Sequence, residues 1–233
     1  MNIALIGYGR MGKTIERIAK DRGHAIVYIN NGGILDIEQA KLADVAIEFT
    51  QPDAAANNIA ELLTAGVPVV SGTTGWLDAK SEIDNIASSR SVGFIYASNF
   101  SLGVNLFFAF NEKLASMMNE YKDYQPHIHE IHHTGKKDEP SGTAITTAEG
   151  ILKAYPSLKL WTMDSESEGL HISAERMDPY FGTHIVSYDS SIDTIELKHE
   201  AHSRDGFALG AVIAAEWLPG KQGPHGMKDV LGL

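Results

Sequence analysis

Asn2-Ile3-Ala4-Leu5-Ile6-Gly7-Tyr8-Gly9-Arg10-Met11-Gly12 is the stretch that decides the fold. The apolar run from Ile3 to Ile6 reads as a buried strand, and the glycines after it have G-x-G-x-x-G spacing. In such a loop Gly7 makes the tight turn, Gly9 lets backbone approach a pyrophosphate, and Gly12 lets the next helix pack closely on the strand. A helix starting here offers unpaired N–H groups and the positive end of its dipole to phosphates. Because the string follows a strand and opens a helix, Gly7, Tyr8, Gly9, Arg10, Met11 and Gly12 read as a dinucleotide-binding loop.

Working outward, the same alternation continues to about Ala97. Short β-rich runs at Ile3 to Ile6, Ala25 to Ile29, Val45 to Phe49, Val67 to Val70 and Gly93 to Tyr96 are separated by helical stretches at Thr14 to Lys20, Ala54 to Ala65 and Asp78 to Ser88. That order predicts an α/β fold, a doubly wound parallel sheet covered on both faces, with Asn30-Asn31-Gly32-Gly33 marking a short turn between the second and third strands. The acidic residue expected roughly 20 residues after the glycine loop, to hold a ribose hydroxyl, is missing. Asn30 and Asn31 stand there instead, with Arg10 and Lys13 near enough in sequence to attract a 2′-phosphate, so NADH and NADPH both remain open as cofactors. Two further turns follow apolar strands: Gly72, Thr73 and Thr74 in the first, Ala97, Ser98, Asn99 and Phe100 in the second. At the carboxyl ends of parallel strands both are expected cofactor contacts, the latter also a hinge.

After Ser101 the pattern changes to a long helix from Gly103 to Met118 and strands near Tyr124 to His132, Leu170 to Arg176, Thr183 to Ser187 and Asp193 to Ala201. This predicts a second, mixed α+β domain over residues 101–203. A closing helix, Phe207 to Leu218, is expected to return to the first domain, giving residues 1–100 with 204–233. The composition excludes other classes. Zero cysteines rule out disulfides, thiolate nucleophiles and cysteine-based metal sites, and fit a cytoplasmic protein. A net charge of −11 argues against a nucleic-acid partner, and no apolar run of about 20 residues predicts a membrane span.

His129-Glu130-Ile131-His132-His133 satisfies the H-E-x-x-H zinc string, which works only on a helix. Pro126 and the β-branched Ile128 and Ile131 predict a strand, on which four residues span roughly 13 Å, too far for one zinc ion. No metal is expected. The same strand leads into Thr134-Gly135-Lys136-Lys137-Asp138-Glu139-Pro140-Ser141-Gly142-Thr143-Ala144, where two lysines precede a capped helix N-terminus. In a chain of net charge −11 this cluster suits a doubly negative small molecule, a dicarboxylate carrying a carbon–nitrogen double bond.

The Glu-x-His-x-x-x-Lys-x-Asp-x-Pro-Ser-Gly-Thr-Ala spacing from Glu130 to Ala144 resembles the signature of the dihydrodipicolinate reductase family. The resemblance runs along the chain through the N-terminal glycines, Gly72-Thr73-Thr74, Asn99-Phe100-Ser101, His199-x-Ala201-x-Ser203-Arg204, Gly220-Lys221 and Met227-Lys228-Asp229-Val230-Leu231. It implies a Rossmann-like cofactor domain joined by hinges to a homotetramer-forming substrate domain, and reduction of 4-hydroxy-tetrahydrodipicolinate by NADH or NADPH in diaminopimelate and lysine biosynthesis. It further implies His132 and Lys136 as catalytic proton donors, and His133, Ser141, Gly142 and Thr143 as substrate contacts. Two departures are visible: the shortened connection after the second strand, and His127 where the family often has glutamate. Two other readings stand beside this one: a related oxidoreductase acting on another dicarboxylate, and a non-catalytic dinucleotide sensor, which has no need of His132 and Lys136.

Overall fold

The computed structural model describes residues 1–203 and 205–233. Arg204, last in the His199-x-Ala201-x-Ser203-Arg204 string, lies outside the described residues. The chain divides into two compact units, Met1–Leu102 with Asp205–Leu233, and Gly103–Arg204.

In the first unit, β1 (Asn2–Ile6), β2 (Ala25–Asn30), β3 (Val45–Glu48), β4 (Val69–Ser71), β5 (Gly93–Tyr96) and β11 (Gly223–His225) form one sheet in the order β11-β5-β4-β3-β1-β2. Every pairing in it is parallel. The reason the strands read as unbroken apolar runs is visible in β1. Ile3 and Leu5 pack on one face with α1 (Arg10–Asp21) and α7 (Asp205–Trp217), while Ala4 and Ile6 pack on the other with α3 (Pro52–Thr64) and α4 (Lys80–Arg90). All four side chains are fully buried, and each large aliphatic one contributes about 1.5–3 kcal/mol. The strand order reverses between β1 and β3, which is where such sheets bind ligands, outside the carboxyl ends of the strands.

The expected doubly wound sheet is present, with three additions. The link between β2 and β3 is more than a turn: α2 (Ile37–Ala40) forms one helical turn there, its N-terminus capped by Asp36, whose carboxylate accepts the N–H of Gln39. Gly223-Pro224-His225 has poor strand propensity, yet pairs with β5 at the sheet edge, where the N–H that proline lacks is not missed. Met227–Leu231 then forms α8.

The second unit carries α5 (Leu102–Met118) from its start, then β6 (Gln125–His132), α6 (Gly142–Ala154), β7 (Trp161–Thr162), β8 (Leu170–Arg176), β9 (Thr183–Asp189) and β10 (Thr194–Glu200). Its sheet is mixed, in the order β10-β9-β6-β8-β7, with β6 antiparallel to β9 and parallel to β8. Period-two alternation sends Ile128, Leu170, Ile172, Val186 and Tyr188 into a core with Phe107 and Met118 of α5 and Ala148 and Ile151 of α6.

Candidate active site

The glycine loop behaves as its spacing predicts, but its glycines do different work. Gly7 has φ +95°, and a Cβ there would collide with the Phe49 carbonyl. At Gly12 a Cβ would collide with the Gly7 carbonyl oxygen, so this glycine is what lets α1 start so close to β1. Gly9 is exposed, and a Cβ added to it meets no protein atom within 4 Å. Packing therefore demands Gly7 and Gly12 but not Gly9, whose bare backbone at the N-terminus of a 12-residue helix fits the pyrophosphate role. Tyr8 is half-buried and its hydroxyl donates to Glu16, leaving its ring, with Lys13 Nζ 5.9 Å from the ring centre, as the accessible part. Arg10 is exposed and Met11 packs against the core.

The other two loops are set in line by ladder bonds that continue past the strands: Phe49 N to Ile6 O, 2.8 Å, Gly72 N to Glu48 O, 3.0 Å, and Ala97 N to Ser71 O, 3.2 Å. Beneath them lies Glu48, fully buried, which accepts the N–H of Thr50 at 2.9 Å and the hydroxyls of Ser71 at 2.6 Å and Thr73 at 2.8 Å. Thr73 is thus a buried loop anchor. Thr74 and Ser98 are exposed, Gly72 is packed against the Phe49 ring, and the Asn99 carboxamide oxygen accepts the N–H of Ser101. Phe100 is a core side chain, 5.9 Å from the Phe49 ring centre, so its ring is not open to a ligand. Asn30 is also committed inward: its oxygen accepts the Gly32 N–H at 2.9 Å and its amide group reaches Tyr28 and Ile34. Asn31, the next residue, is exposed, as are Arg10 and Lys13.

The second unit gathers the histidine and lysine residues. The H-E-x-x-H string lies on β6 and its flank, extended as expected: His129 faces Ser173 Oγ at 2.8 Å, while Glu130 and His132 point to the opposite, buried face. Cross-strand register then builds the site. Glu130 stands opposite His184 of β9, and His132 beside Arg176 of β8. The Glu130 carboxylate accepts the Ser141 N–H at 3.1 and 3.2 Å and a guanidinium N–H of Arg176 at 3.2 Å, with His132 Nδ1 and His184 Nε2 each 3.6 Å away. Burial works to raise its pKa, but hydrogen bonds from His184 and Ser141 and the His132 charge outweigh it and hold the carboxyl down at about 2. Burial pushes the His132 imidazole down to about 4; Glu130 opposes that, and His184, Lys136 and Arg176 reinforce it.

The loop after β6 is tied back at two points. Thr134 Oγ1 donates to Asp178 at 2.7 Å, and Arg176 donates to the Asp138 carbonyl at 2.7 Å. Lys136 is half-buried with Nζ 2.8 and 2.9 Å from the Asp138 carboxylate, and His133 is half-buried before it. Ser141 caps α6: its hydroxyl accepts the Ala144 N–H at 3.1 Å and contacts His184 Nε2 at 3.2 Å. Ser141 is buried, whereas Gly142 is exposed and Thr143 half-exposed on the first helical turn. Glu130, Arg176 and His184 were not among the residues singled out by sequence; only Glu130 carried a signal, as the first letter of the motif.

Distance alone would let Glu130, His132 and His184 hold a metal ion. The carboxylate's acceptor sites, however, already take the Ser141 N–H and a guanidinium, whose positive charge works against a second cation.

Residues 1–100 match the family model described as dihydrodipicolinate reductase, N-terminus, and residues 103–231 the one described as its C-terminus. A protein of Christiangramia forsetii named 4-hydroxy-tetrahydrodipicolinate reductase is 53% identical over 237 aligned positions, spanning 99% of this chain and 98% of that one. Another of that name, from Methanoregula boonei, is 38% identical over 202 positions, spanning 83% and 77%. A solved structure of dipicolinate-bound dihydrodipicolinate reductase from Paenisporosarcina sp. TG-14 shares the fold, with a TM-score of 0.82 over 97% of each chain at 22% identity. With both halves of one family matched in order and a full-length relative sharing half its residues, this chain belongs to the dihydrodipicolinate reductase family.

Proposed function

We propose that the chain reduces 4-hydroxy-tetrahydrodipicolinate to tetrahydrodipicolinate with NADH or NADPH and a proton, the 4-hydroxyl leaving as water, a step toward diaminopimelate and lysine. The observation that carries this reading is the cluster on the second unit, where His132 and Lys136 lead directly into the N-terminus of α6 in a chain of net charge −11. The first unit's exposed Gly9, with Gly72, Thr74, Ser98 and the backbone of Phe100, is the proposed cofactor surface. When bound, the reduced nicotinamide supplies a hydride.

The chain's own residues supply the rest. The N–H groups of Gly142 and Thr143, at the positive end of α6, hold one substrate carboxylate, with Ser141 fixing that turn rather than donating its hydroxyl. The Lys136 ammonium supplies positive charge to the same anion, and the His133 imidazole offers it a hydrogen bond. Protonation must accompany hydride arrival, and Lys136 and His132 are the donors. His132 is neutral at pH 7 in the free protein, because burial holds it down at about 4. A bound dianion works in the opposite direction and favours the protonated form of His132.

The absence of a carboxylate at the end of β2, with Asn30 committed inward and Arg10 exposed, supports use of NADPH alongside NADH. A homotetramer built through the second unit's sheet is part of the proposal: the sheet face bearing His127, His129, Ile131 and Ile185 is half-buried and lies opposite its helices. Among the described residues no helix is long and apolar enough to cross a membrane, and the lack of cysteine supports work in the cytoplasm. The test is oxidation of NADPH and NADH with substrate generated in place from pyruvate and aspartate semialdehyde by the preceding synthase. Synthase-dependent loss of reduced cofactor, abolished in Lys136→Ala with cofactor affinity retained, is the expected result. Cofactor binding without turnover would favour the sensor reading, and sedimentation reads the oligomer.

A further inference from the structure

Glu130 has a fully buried carboxylate in the body of a strand. An ionised carboxylate out of water costs several kcal/mol unless each oxygen is met. Here the groups that meet it come from different elements: the Ser141 N–H from the cap of α6, Arg176 from β8, His184 from β9, and His132 from its own strand. Two of these, His132 and Ser141, are parts of the proposed machinery, and they lie on different segments. His132 closes β6; Ser141 lies nine residues on, beyond a loop.

Resting on the reductase reading above, we propose that Glu130 is a positioning residue that sets two parts of the site at once, the His132 imidazole and the N-terminal turn of α6. It holds the α6 turn by accepting the Ser141 N–H. That bond fixes where the Gly142 and Thr143 N–H groups point, and His184 braces it by reaching both Glu130, at 3.6 Å, and Ser141 Oγ, at 3.2 Å. It orients His132 through Nδ1, which lies 3.6 Å from its Oε2. An anion there favours the tautomer with the proton on Nδ1 and stabilises the imidazolium. The remaining ring nitrogen, Nε2, lies where Gly182 keeps room: a Cβ on that residue would sit 3.2 Å from it. Among the described residues that act most on His132, Glu130 favours its protonated form, while His184 from β9, Lys136 from the loop and Arg176 from β8 disfavour it.

The experiment uses the full chain as wild type, Glu130→Gln and Glu130→Asp, with three readouts. Dipicolinate, a planar dicarboxylate, probes the α6 site by calorimetry; histidine NMR, assigned with His132→Gln, follows the His132 titration; fluorescence follows NADPH binding. In Glu130→Gln, dipicolinate affinity is expected to fall on the order of 10–100-fold, the range seen when an outer partner of a working group is removed. His132 should titrate lower by about one unit, the scale of a lost neighbouring charge. NADPH binding should not change. Glu130→Asp keeps the charge but draws back from Ser141, so the His132 titration should return toward wild type while dipicolinate affinity stays weak. A merely structural glutamate would move neither the titration nor its recovery in Glu130→Asp. Unchanged dipicolinate affinity or an unmoved His132 titration in Glu130→Gln overturns the proposal. If that variant does not fold, undiminished dipicolinate affinity in Glu130→Asp overturns it instead. Failure of the reductase reading looks different: the wild type then neither turns over nor binds dipicolinate, and the His132 titration still decides the electrostatic half.

Discussion

Gly9→Ala separates the two explanations for a glycine in a phosphate loop, one concerning the protein's own packing and the other an incoming ligand. Gly9 has φ −76° and ψ −157°, a conformation open to any residue, and its added methyl meets no protein atom within 4 Å. Replacing it costs about 0.5–1.5 kcal/mol in capping preference and returns about 0.4–1 kcal/mol through a less flexible unfolded chain. Stability should therefore stay within about 1 kcal/mol of wild type. Binding is another matter under the proposed function, in which a pyrophosphate reaches the N–H groups of α1 through the open space the methyl would take. Losing one charge-assisted hydrogen bond costs about 1.5–3 kcal/mol, and each 1.4 kcal/mol is about tenfold in affinity. NADPH and NADH should both bind roughly 10- to 150-fold more weakly. Gly12→Ala is the control: its methyl runs into the Gly7 carbonyl oxygen, and overpacking of this kind costs about 1–3 kcal/mol of stability. Thermal denaturation and fluorescence titration of both variants make the comparison. Wild-type cofactor affinity in a folded Gly9→Ala protein would refute the pyrophosphate assignment, and a stability loss matching that of Gly12→Ala would refute the packing argument.

Three further outcomes are expected. Between pH 6.5 and about 4 the unfolded chain binds the His132 proton and the folded protein does not, so stability falls as pH drops through that window, by up to about 3 kcal/mol from this group. His132→Gln should flatten the fall of melting temperature with acid without abolishing it, since burial lowers His127 and His199 in the same direction. Gly182→Ala, at φ +153° and with its methyl 3.2 Å from His132 Nε2, should cost about 1–3 kcal/mol of stability and lower kcat, checked by denaturant melts and steady-state kinetics. Glu48→Gln turns a donor toward the Thr50 N–H or the hydroxyls of Ser71 and Thr73; a loss of about 1–3 kcal/mol and weaker cofactor binding are expected by denaturation and titration.

What could be read from sequence was local. The apolar runs forecast the parallel sheet because strands covered on both faces have no polar side to show, and the proline and β-branched residues around His129 forecast a strand where the zinc string required a helix. Hidden were properties set by pairing register. Nothing in the order of residues puts His184 opposite Glu130 or Arg176 beside His132, since those neighbours are 54 and 44 positions away and meet only once β6 lies between β8 and β9. Sequence likewise treated Thr73, Phe100 and Asn30 as available to a cofactor, whereas packing turns each of those three side chains inward.

The same distinction bears on charge. A net charge of −11 looks hostile to a dianion, but the total counts acids whose charge never faces solvent. Glu48 and Glu130 are both fully buried, and both are enclosed by donors from a neighbouring strand and from the loops they anchor: Ser71 with Thr50 and Thr73 around one, Arg176 with Ser141 around the other. In each unit a carboxylate faces inward and holds in place a loop proposed to meet an anion. What the ligand meets is then the outward side of that loop, with the Gly9 backbone in the first unit and Lys136, Gly142 and Thr143 in the second. An acidic composition and two anion-binding surfaces are therefore compatible, because these two buried acids are part of what builds the surfaces.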